Sequence, residues 1–318
     1  MPRIEDQVVD AIIYLYPSRE HAEEGKLDGG TGFLVSAESS INKNRIYIYA
    51  VTNKHVIDNG GTVVRINRHD GNTEIIEIDY YDWERHPDSD VAMAQIGQMD
   101  ANVVKFHCIR FDKLVTKEIV EALDIGLGED VYMVGRFVHH AGKTTNMPSV
   151  RSGIISAMPN PNEKVRTQIG DQEAYLVEMR SISGFSGSPV IFDVPFDVWS
   201  LFGVLAKVMN SRVDKYGNNP PPEEMYSVKG RRNWSFEGAK GLPLSTWLLG
   251  IDAGNFPRFE RVYEIKTIQD RKERKETDYK AENHSGFSIV IPAWKILDLL
   301  NSDRFAMERK KVDKELEQ

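Results

Sequence analysis

A serine between two glycines, in the stretch Gly184-Phe185-Ser186-Gly187, carries the clearest chemical potential in this sequence. Gly184 permits a tight turn that points backbone N–H groups outward, and a hydroxyl beside such groups suits acyl transfer. Ser186 would attack a carbonyl carbon while the N–H groups of Gly184 and Ser186 hold the oxyanion. Because ordinary turns use the same residue types, the motif acquires meaning only if the chain also supplies a base and an acid.

His55 and Asp90 are the candidates for that base and acid. His55 follows the apolar run 46–52 after two residues, and Asp90 directly precedes another apolar run. An imidazole can accept a serine proton near neutral pH, and a half-buried carboxylate can fix its tautomer. Asp88 is a competing acid, although it lies further from the apolar run. Each residue alone is a weak signal, since a histidine after a strand is more often an ordinary core residue.

The segments that would position these residues are short and rich in β-branched and aromatic side chains. Many such strands at roughly regular spacing predict an all-β barrel or sandwich. Residues 18–28 are polar and are predicted to form a loop. Apolar residues at helical spacing predict helices over 114–123 and 293–315. The predicted strands are 7–16, 46–52, 62–67, 73–80, 103–111, 130–138, 150–157, 174–179, 247–253 and 287–292.

With its surrounding motifs, the order His55, Asp90, Ser186 resembles the trypsin-like serine peptidases of the chymotrypsin fold, and it looks most like the bacterial HtrA-type catalytic domain. The resemblance covers about residues 5–300 apart from two insertions. It rests on the segments 30–33, 51–56, 89–92, 131–135, 152–157, 184–187, 248–251 and 286–292. It implies a mainly β fold of two six-stranded antiparallel barrels, with the catalytic residues in the cleft between them and Gly184 and Ser186 as the oxyanion hole.

The whole chain, 1–318, is interpreted on this basis as a single peptidase domain without a PDZ domain. The first barrel is predicted over 5–112, a linker over 113–123, the second barrel over 124–292 and a C-terminal helix over 293–318. Two insertions, 195–243 and 255–284, are predicted within the second barrel. The first of them exceeds ordinary loop length, and we expect it to cover the site or to dock a regulatory protein partner.

Arg180, Asp252 and Ser288 are predicted to line the pocket for the side chain that precedes the scissile bond. In the family that the chain resembles, the residue six positions before the nucleophile lies at the base of that pocket, and here it is Arg180. An arginine there favours acidic substrates. Pairing with Asp252 would instead leave a pocket for small or aliphatic side chains, and both preferences stay open. Ser188 replaces a glycine of the family motif, a change expected to be tolerated.

Composition and charge exclude several other classes of function. The net charge of −8 argues against a protein that binds nucleic acid through phosphates. A single cysteine, Cys108, forms no internal disulfide, which predicts a reducing, cytoplasmic location. Neither a secretory leader nor an apolar stretch long enough to span a membrane is expected. The glycine-rich run 29–32 lacks a P-loop ending, and the pair His139-His140 has no further ligand at metal spacing, so no cofactor or metal is expected.

The sequence therefore predicts a serine endopeptidase that cleaves protein or peptide substrates through an acyl-enzyme intermediate. A bacterial-type role in quality control, stress or defence is expected from the resemblance. The alternative is a catalytically silent trypsin-like fold that serves as a binding or scaffold module. The joint presence of His55, Asp90 and Ser186 favours the enzyme, because a binding module has no chemical need for all three.

Overall fold

A computed structural model describes residues 4–39, 41–42, 45–167, 169–180, 184–193, 246–268 and 271–316. The predicted insertion 195–243 lies outside these residues. The helices are α1 Asp6–Val9, α2 Arg19–Glu24, α3 Lys54–Asp58, α4 Lys117–Ala122, α5 Trp294–Leu300 and α6 Asp303–Leu316. Among the described residues, none of these helices has the length and apolar character that crossing a membrane requires.

The strands fall into two large sheets and one small hairpin. The first sheet has the order β5-β4-β1-β2-β3-β7-β6, with β8 paired to β2, and contains β1 Ile12–Tyr16, β2 Gly30–Glu38, β3 Ile46–Thr52, β4 Val63–Asn67, β5 Thr73–Glu77, β6 Glu84–Arg85, β7 Ala92–Ile96 and β8 Ile109–Arg110. The second closes in the order β10-β13-β16-β15-β14-β9 and contains β9 Asp130–Gly135, β10 Ser149–Ala157, β13 Tyr175–Glu178, β14 Pro189–Asp193, β15 Thr246–Ile268 and β16 Arg271–Pro292. The hairpin pairs β11 Val165–Thr167 with β12 Gly170–Gln172.

This architecture confirms the mainly β double-barrel fold expected from the sequence. The second barrel is closed and six-stranded, as predicted. The first is a curled, eight-stranded sheet, in which β6 extends the edge beside β7 and β8 pairs in parallel with part of the inner strand β2. The predicted insertion 255–284 forms the outer part of β15 and β16, whose pairing continues from Gly250↔Pro292 to Ile268↔Arg271.

Strand β1 explains how the two barrels stay together. All five of its residues are buried, because successive side chains point to opposite faces and both faces are covered. Ile13 and Leu15 pack inside the first sheet. Tyr14 and Tyr16 belong to the apolar cluster that continues into the second barrel and includes Leu248 there. Strand β1 is therefore shared between the core of the first sheet and the core that joins the two barrels.

Several local predictions are wrong in instructive ways. The predicted strand 7–16 begins as helix α1, and the predicted loop 18–28 contains helix α2. Helix α2 has ordinary end signals, since the Ser18 hydroxyl accepts the N–H of His21 and Gly25 ends the helix in the left-handed region. The predicted strand 103–111 shrinks to the two residues of β8. The single C-terminal helix is broken between α5 and α6.

Helix α6 returns the end of the chain to the first barrel. Its buried Asp313 accepts a hydrogen bond from Ser39 Oγ at 2.7 Å and one from the Tyr47 hydroxyl. Phe305 packs edge-on against Tyr49, with ring centroids 5.1 Å apart. Since α5 follows β16 of the second barrel directly, the two C-terminal helices connect the barrels, and their residues Ile296, Leu299 and Phe305 belong to the shared core.

Candidate active site

His55 lies in the first turn of helix α3, three residues after β3 ends, and not at the end of a strand as predicted. The turn between them is held by Asn53, which is fully buried and donates its side-chain amide to the backbone oxygen of Asp90 at 2.9 Å. This bond fastens the segment that carries His55 to the loop that carries Asp90.

The carboxylate of Asp90 is fully buried and binds His55 twice. One oxygen accepts the backbone N–H of His55 at 3.0 Å, and the other lies 2.6 Å from the ring Nδ1. A carboxylate at Nδ1 holds the proton on that nitrogen and leaves Nε2 able to accept another. The competing acid, Asp88, is exposed on the surface, so Asp90 is the carboxylate that contacts the imidazole.

The electrostatic surroundings of His55 make its ring a stronger base than usual. Burial by itself lowers the pKa of His55, but the hydrogen bond and the charge of Asp90 outweigh it. Smaller contributions come from the charges of Asp252 and Asp58, and the net result is a raised His55 pKa. Asp252 therefore lies within electrostatic reach of the imidazole, on a strand of the other barrel.

The turn that carries Ser186 is pressed against the end of β3, which leads to His55. Gly187 has a φ of +88°, and a Cβ there would lie 2.0 Å from the oxygen of Thr31 and 2.4 Å from Thr52 Oγ1. Only glycine fits such a close approach. The carbonyl of Ser186 also accepts the N–H of Thr31 at 2.9 Å. The turn of Ser186 is thus held close to the end of the strand that precedes His55.

The first half of the same turn is fixed by Thr31, which is fully buried. Its hydroxyl donates to the oxygen of Gly184 at 2.6 Å and accepts the N–H of Arg136 at 2.9 Å. Within the described residues, the N–H groups of Gly184 and Ser186 donate to no protein acceptor, which is the condition expected of oxyanion-hole donors. Among the residues that the structure describes, no hydrogen bond joins Ser186 Oγ to the His55 ring.

The structure brings two of the three predicted pocket residues together. Asp252 and Ser288 are both fully buried, and the Ser288 hydroxyl donates to the Asp252 carboxylate. Arg180 is exposed, and among the described ion pairs none joins it to Asp252. The charge of Arg180 acts instead on Arg151. Burial is the larger cause of the lowered Arg151 pKa, and the charge of Arg180 is the smaller one. The assignment of a pocket to these residues stays a prediction.

A cleft of about 480 Å³ lies beside the His55–Asp90 pair. The hairpin β11–β12 forms one of its walls, and the sequence analysis missed this element because its strands are only three residues long and carry no apolar alternation. The cleft is lined by Lys54, His55, Asp58, Pro87, Asp88, Ser89, Asp90, Lys164, Ile169, Gly170, Asp171 and Gln172.

Gln172 is a second feature of the site that the sequence analysis missed. Its side chain is buried, and its amide oxygen accepts the backbone N–H of Asp90 at 3.1 Å. Local sequence gives no sign of this contact, because the two residues are 82 positions apart and belong to different sheets.

The structure gives no support for a metal centre among the residues it describes. There, no group of three or more histidine, cysteine, aspartate or glutamate side chains is placed to hold an ion. His139 and His140 lie in the 3-10 helix Val138–His140.

Comparison with known proteins identifies a family. A model of the trypsin-like peptidase domain matches residues 30–194, a range that contains His55, Asp90 and Ser186. Among solved structures, the apo crystal structure of the MamO protease domain from Magnetospirillum magneticum is 14% identical, with a TM-score of 0.44, and the alignment covers 93% of this chain and 98% of that one. A similarity at this level does not bear on activity. No match to a curated protein was found.

Proposed function

This chain belongs to the trypsin-like peptidase domain family, and we propose that it is a serine endopeptidase that uses Ser186, His55 and Asp90 as nucleophile, base and orienting acid. The observation that carries the proposal is the double contact between His55 and the buried Asp90 carboxylate, at 3.0 Å and 2.6 Å. A histidine held in this way is in the tautomer whose Nε2 can accept a proton.

In the acylation step, Ser186 Oγ attacks the carbonyl carbon of the substrate peptide bond while His55 Nε2 takes the hydroxyl proton. The oxyanion of the tetrahedral intermediate accepts hydrogen bonds from the N–H groups of Gly184 and Ser186. His55 then gives its proton to the leaving nitrogen, the C–N bond breaks, and the acyl group remains on Ser186. The Asp90 carboxylate stays ionised throughout and stabilises the imidazolium.

In the deacylation step, water takes the place of the departed amine. His55 Nε2 accepts a proton from the water as its oxygen attacks the acyl carbon, and the same N–H groups hold the second oxyanion. The ester bond to Ser186 then breaks, and His55 returns the proton to Ser186 Oγ. The carboxylic acid product leaves and the starting enzyme is restored.

A fluorophosphonate probe and a mixture of peptides test this proposal directly. We expect the wild-type protein to be labelled at Ser186 and to cleave peptides, and Ser186→Ala and His55→Ala to do neither. Ser186→Ala should keep the thermal unfolding midpoint within a few degrees, because the loss of one half-buried hydroxyl changes packing little. Peptide cleavage by Ser186→Ala at the wild-type rate would refute the assignment of the nucleophile.

A binding module without turnover is the second candidate. It is favoured by the lack of a hydrogen bond between Ser186 Oγ and the His55 ring among the described residues. In peptidases without a bound substrate this contact is often long, so the observation is compatible with both functions. One experiment distinguishes the two candidate functions. A binding module retains its peptide ligands uncleaved and does not react with fluorophosphonate, whereas the endopeptidase reacts at Ser186.

A further inference from the structure

The backbone of Asp90 is held from both sides by side-chain amides. Asn53 donates its Nδ2 to the Asp90 oxygen at 2.9 Å, and Gln172 accepts the Asp90 N–H through its Oε1 at 3.1 Å. Asn53 and Asp90 both belong to the first barrel, whereas Gln172 comes from the hairpin of the second. The contact with Gln172 is therefore the one that depends on how the two barrels are placed.

Gln172 is itself firmly held. It lies at the end of the hairpin, where it pairs with Val165 in the β11–β12 ladder, and only 5% of its surface is exposed. The next residue, Glu173, is also buried and binds Lys117 at 3.1 Å and Lys295 at 3.4 Å. These ion pairs fasten the end of the hairpin to helices α4 and α5. The amide oxygen of Gln172 is therefore a hydrogen-bond acceptor in a fixed position.

From this geometry we propose that Gln172 is a positioning residue for the His55–Asp90 pair, an inference that rests on the proposed peptidase function. Both oxygens of the Asp90 carboxylate are used by His55, so the direction of the carboxylate depends on its backbone. Gln172 fixes that backbone from the hairpin inserted between β10 and β13 of the second barrel, the half of the chain that also carries Ser186. It thereby sets the position of the base relative to the nucleophile.

The charges around His55 determine how the effect of Gln172 can be measured. Asp90, Asp252 and Asp58 raise the pKa of the ring. The cleft adds the exposed groups Asp88 and Asp171 and the amines of Lys54 and Lys164. Gln172 itself carries no charge. A change in the His55 pKa on neutral substitution of Gln172 therefore does not come from the removal of a charge, and a weaker hold on the Asp90 carboxylate predicts a fall in that pKa.

The test compares Gln172→Met with Gln172→Glu. Methionine has a similar length and shape but offers no good acceptor, so we expect kcat to fall about tenfold with little change in KM, the factor that one ordinary hydrogen bond represents. We also expect the His55 pKa, measured by NMR titration of the ring, to fall, because a less fixed carboxylate stabilises the imidazolium less. Glutamate keeps an acceptor oxygen, so Gln172→Glu should leave the His55 pKa at or above the wild-type value.

Gln95→Met is the matched control. Gln95 is half-buried on β7, and among the described residues its side chain makes no hydrogen bond. A folded Gln172→Met protein with wild-type kcat and His55 pKa would overturn the proposal, and so would a His55 pKa lowered equally by Gln172→Glu or Gln95→Met. The NMR titration needs no turnover. If the wild-type protein proves inactive, the proposed function fails, while the positioning role of Gln172 is still decided by the pKa.

Discussion

The side chain of Ser188 occupies the space that Gly135 leaves open. Ser188 lies just after the nucleophile turn and is fully buried, and Gly135 is the last residue of β9 on the neighbouring strand. A Cβ on residue 135 would lie 1.8 Å from Ser188 Oγ and 2.9 Å from Ser188 Cβ. The serine that departs from the family motif is accommodated because a glycine faces it.

Gly135→Ala should therefore disturb the turn of Ser186. Because the added methyl group overlaps Ser188, we expect a loss of about 1–3 kcal/mol in the free energy of unfolding and a reduced rate of Ser186 labelling by fluorophosphonate. The double variant Gly135→Ala with Ser188→Gly should regain most of both. Urea unfolding of the four proteins in this cycle gives the coupling energy, and additive effects would contradict the proposed contact.

The pH dependence of turnover should report the raised pKa of His55. The ring must be neutral to accept the serine proton, so kcat/KM rises with pH as His55 loses its proton. Since Asp90, with Asp252 and Asp58, raises the pKa above its ordinary value of 6.5, we expect the midpoint of this rise above pH 6.5.

Asp252→Asn removes one of the negative charges that stabilise the imidazolium but keeps an acceptor for Ser288. The His55 pKa should fall, and the rise of kcat/KM should move to lower pH. Asp171→Asn is the control, since Asp171 lines the cleft but is not among the main causes of the raised His55 pKa. A midpoint that moves upward in Asp252→Asn, or equally in both variants, would contradict this account.

How much could be predicted from the sequence depended on how local each signal is. His55, Asp90 and Ser186 were found because each lies beside an apolar strand in a short, recognisable segment. The short helix that carries His55 was missed, since five residues contain too little periodicity to distinguish it from the end of β3. The boundaries of the predicted strands 7–16 and 103–111 were wrong for the same reason.

Contacts between distant segments could not be predicted at all. In the sequence, Gln172 is an ordinary polar residue near a turn. Its proposed positioning role follows only from the hydrogen bond to Asp90 across the cleft. Gly135 reads as the end of a strand, and its relation to Ser188 needs the pairing of β9 with β14. The pocket role of Arg180 stays a prediction, since it came from a position count before the nucleophile, and the structure exposes its side chain.

Substituting the two candidate acids tests which one orients His55. Asp90→Asn keeps the shape of the side chain but favours the wrong imidazole tautomer, so kcat should fall by a factor on the order of 10⁴. Asp88→Asn should change kcat little, because the Asp88 side chain is exposed. The hydrogen bond of Asp88 to a neighbouring histidine, His86, uses its backbone N–H and not its carboxylate. Peptide cleavage by both variants under the same conditions gives the comparison. A larger loss in Asp88→Asn would identify Asp88 as the acid.

Arg136 should be among the residues that hold the oxyanion turn in place. It is fully buried and donates its guanidinium to the oxygens of Asp28, at 2.6 Å, and Lys26, while its carbon lies 4.6 Å from the Tyr16 ring centroid. Its backbone N–H binds the same Thr31 hydroxyl that holds Gly184. The guanidinium thus ties the segment before β2 to the turn of the nucleophile.

Arg136→Lys keeps the positive charge but cannot reach both carbonyls and stack on a ring at once. The lost contacts predict a decrease of about 2–4 kcal/mol in the free energy of unfolding, measured with urea. Arg151→Lys is the matched control, because Arg151 is only partly buried and its guanidinium stacks on Phe185, 4.8 Å from the ring centroid. That variant should lose about 1 kcal/mol or less. Equal losses in the two variants would show that stacking alone accounts for Arg136, and that its bonds to the two carbonyls do not stabilise the fold.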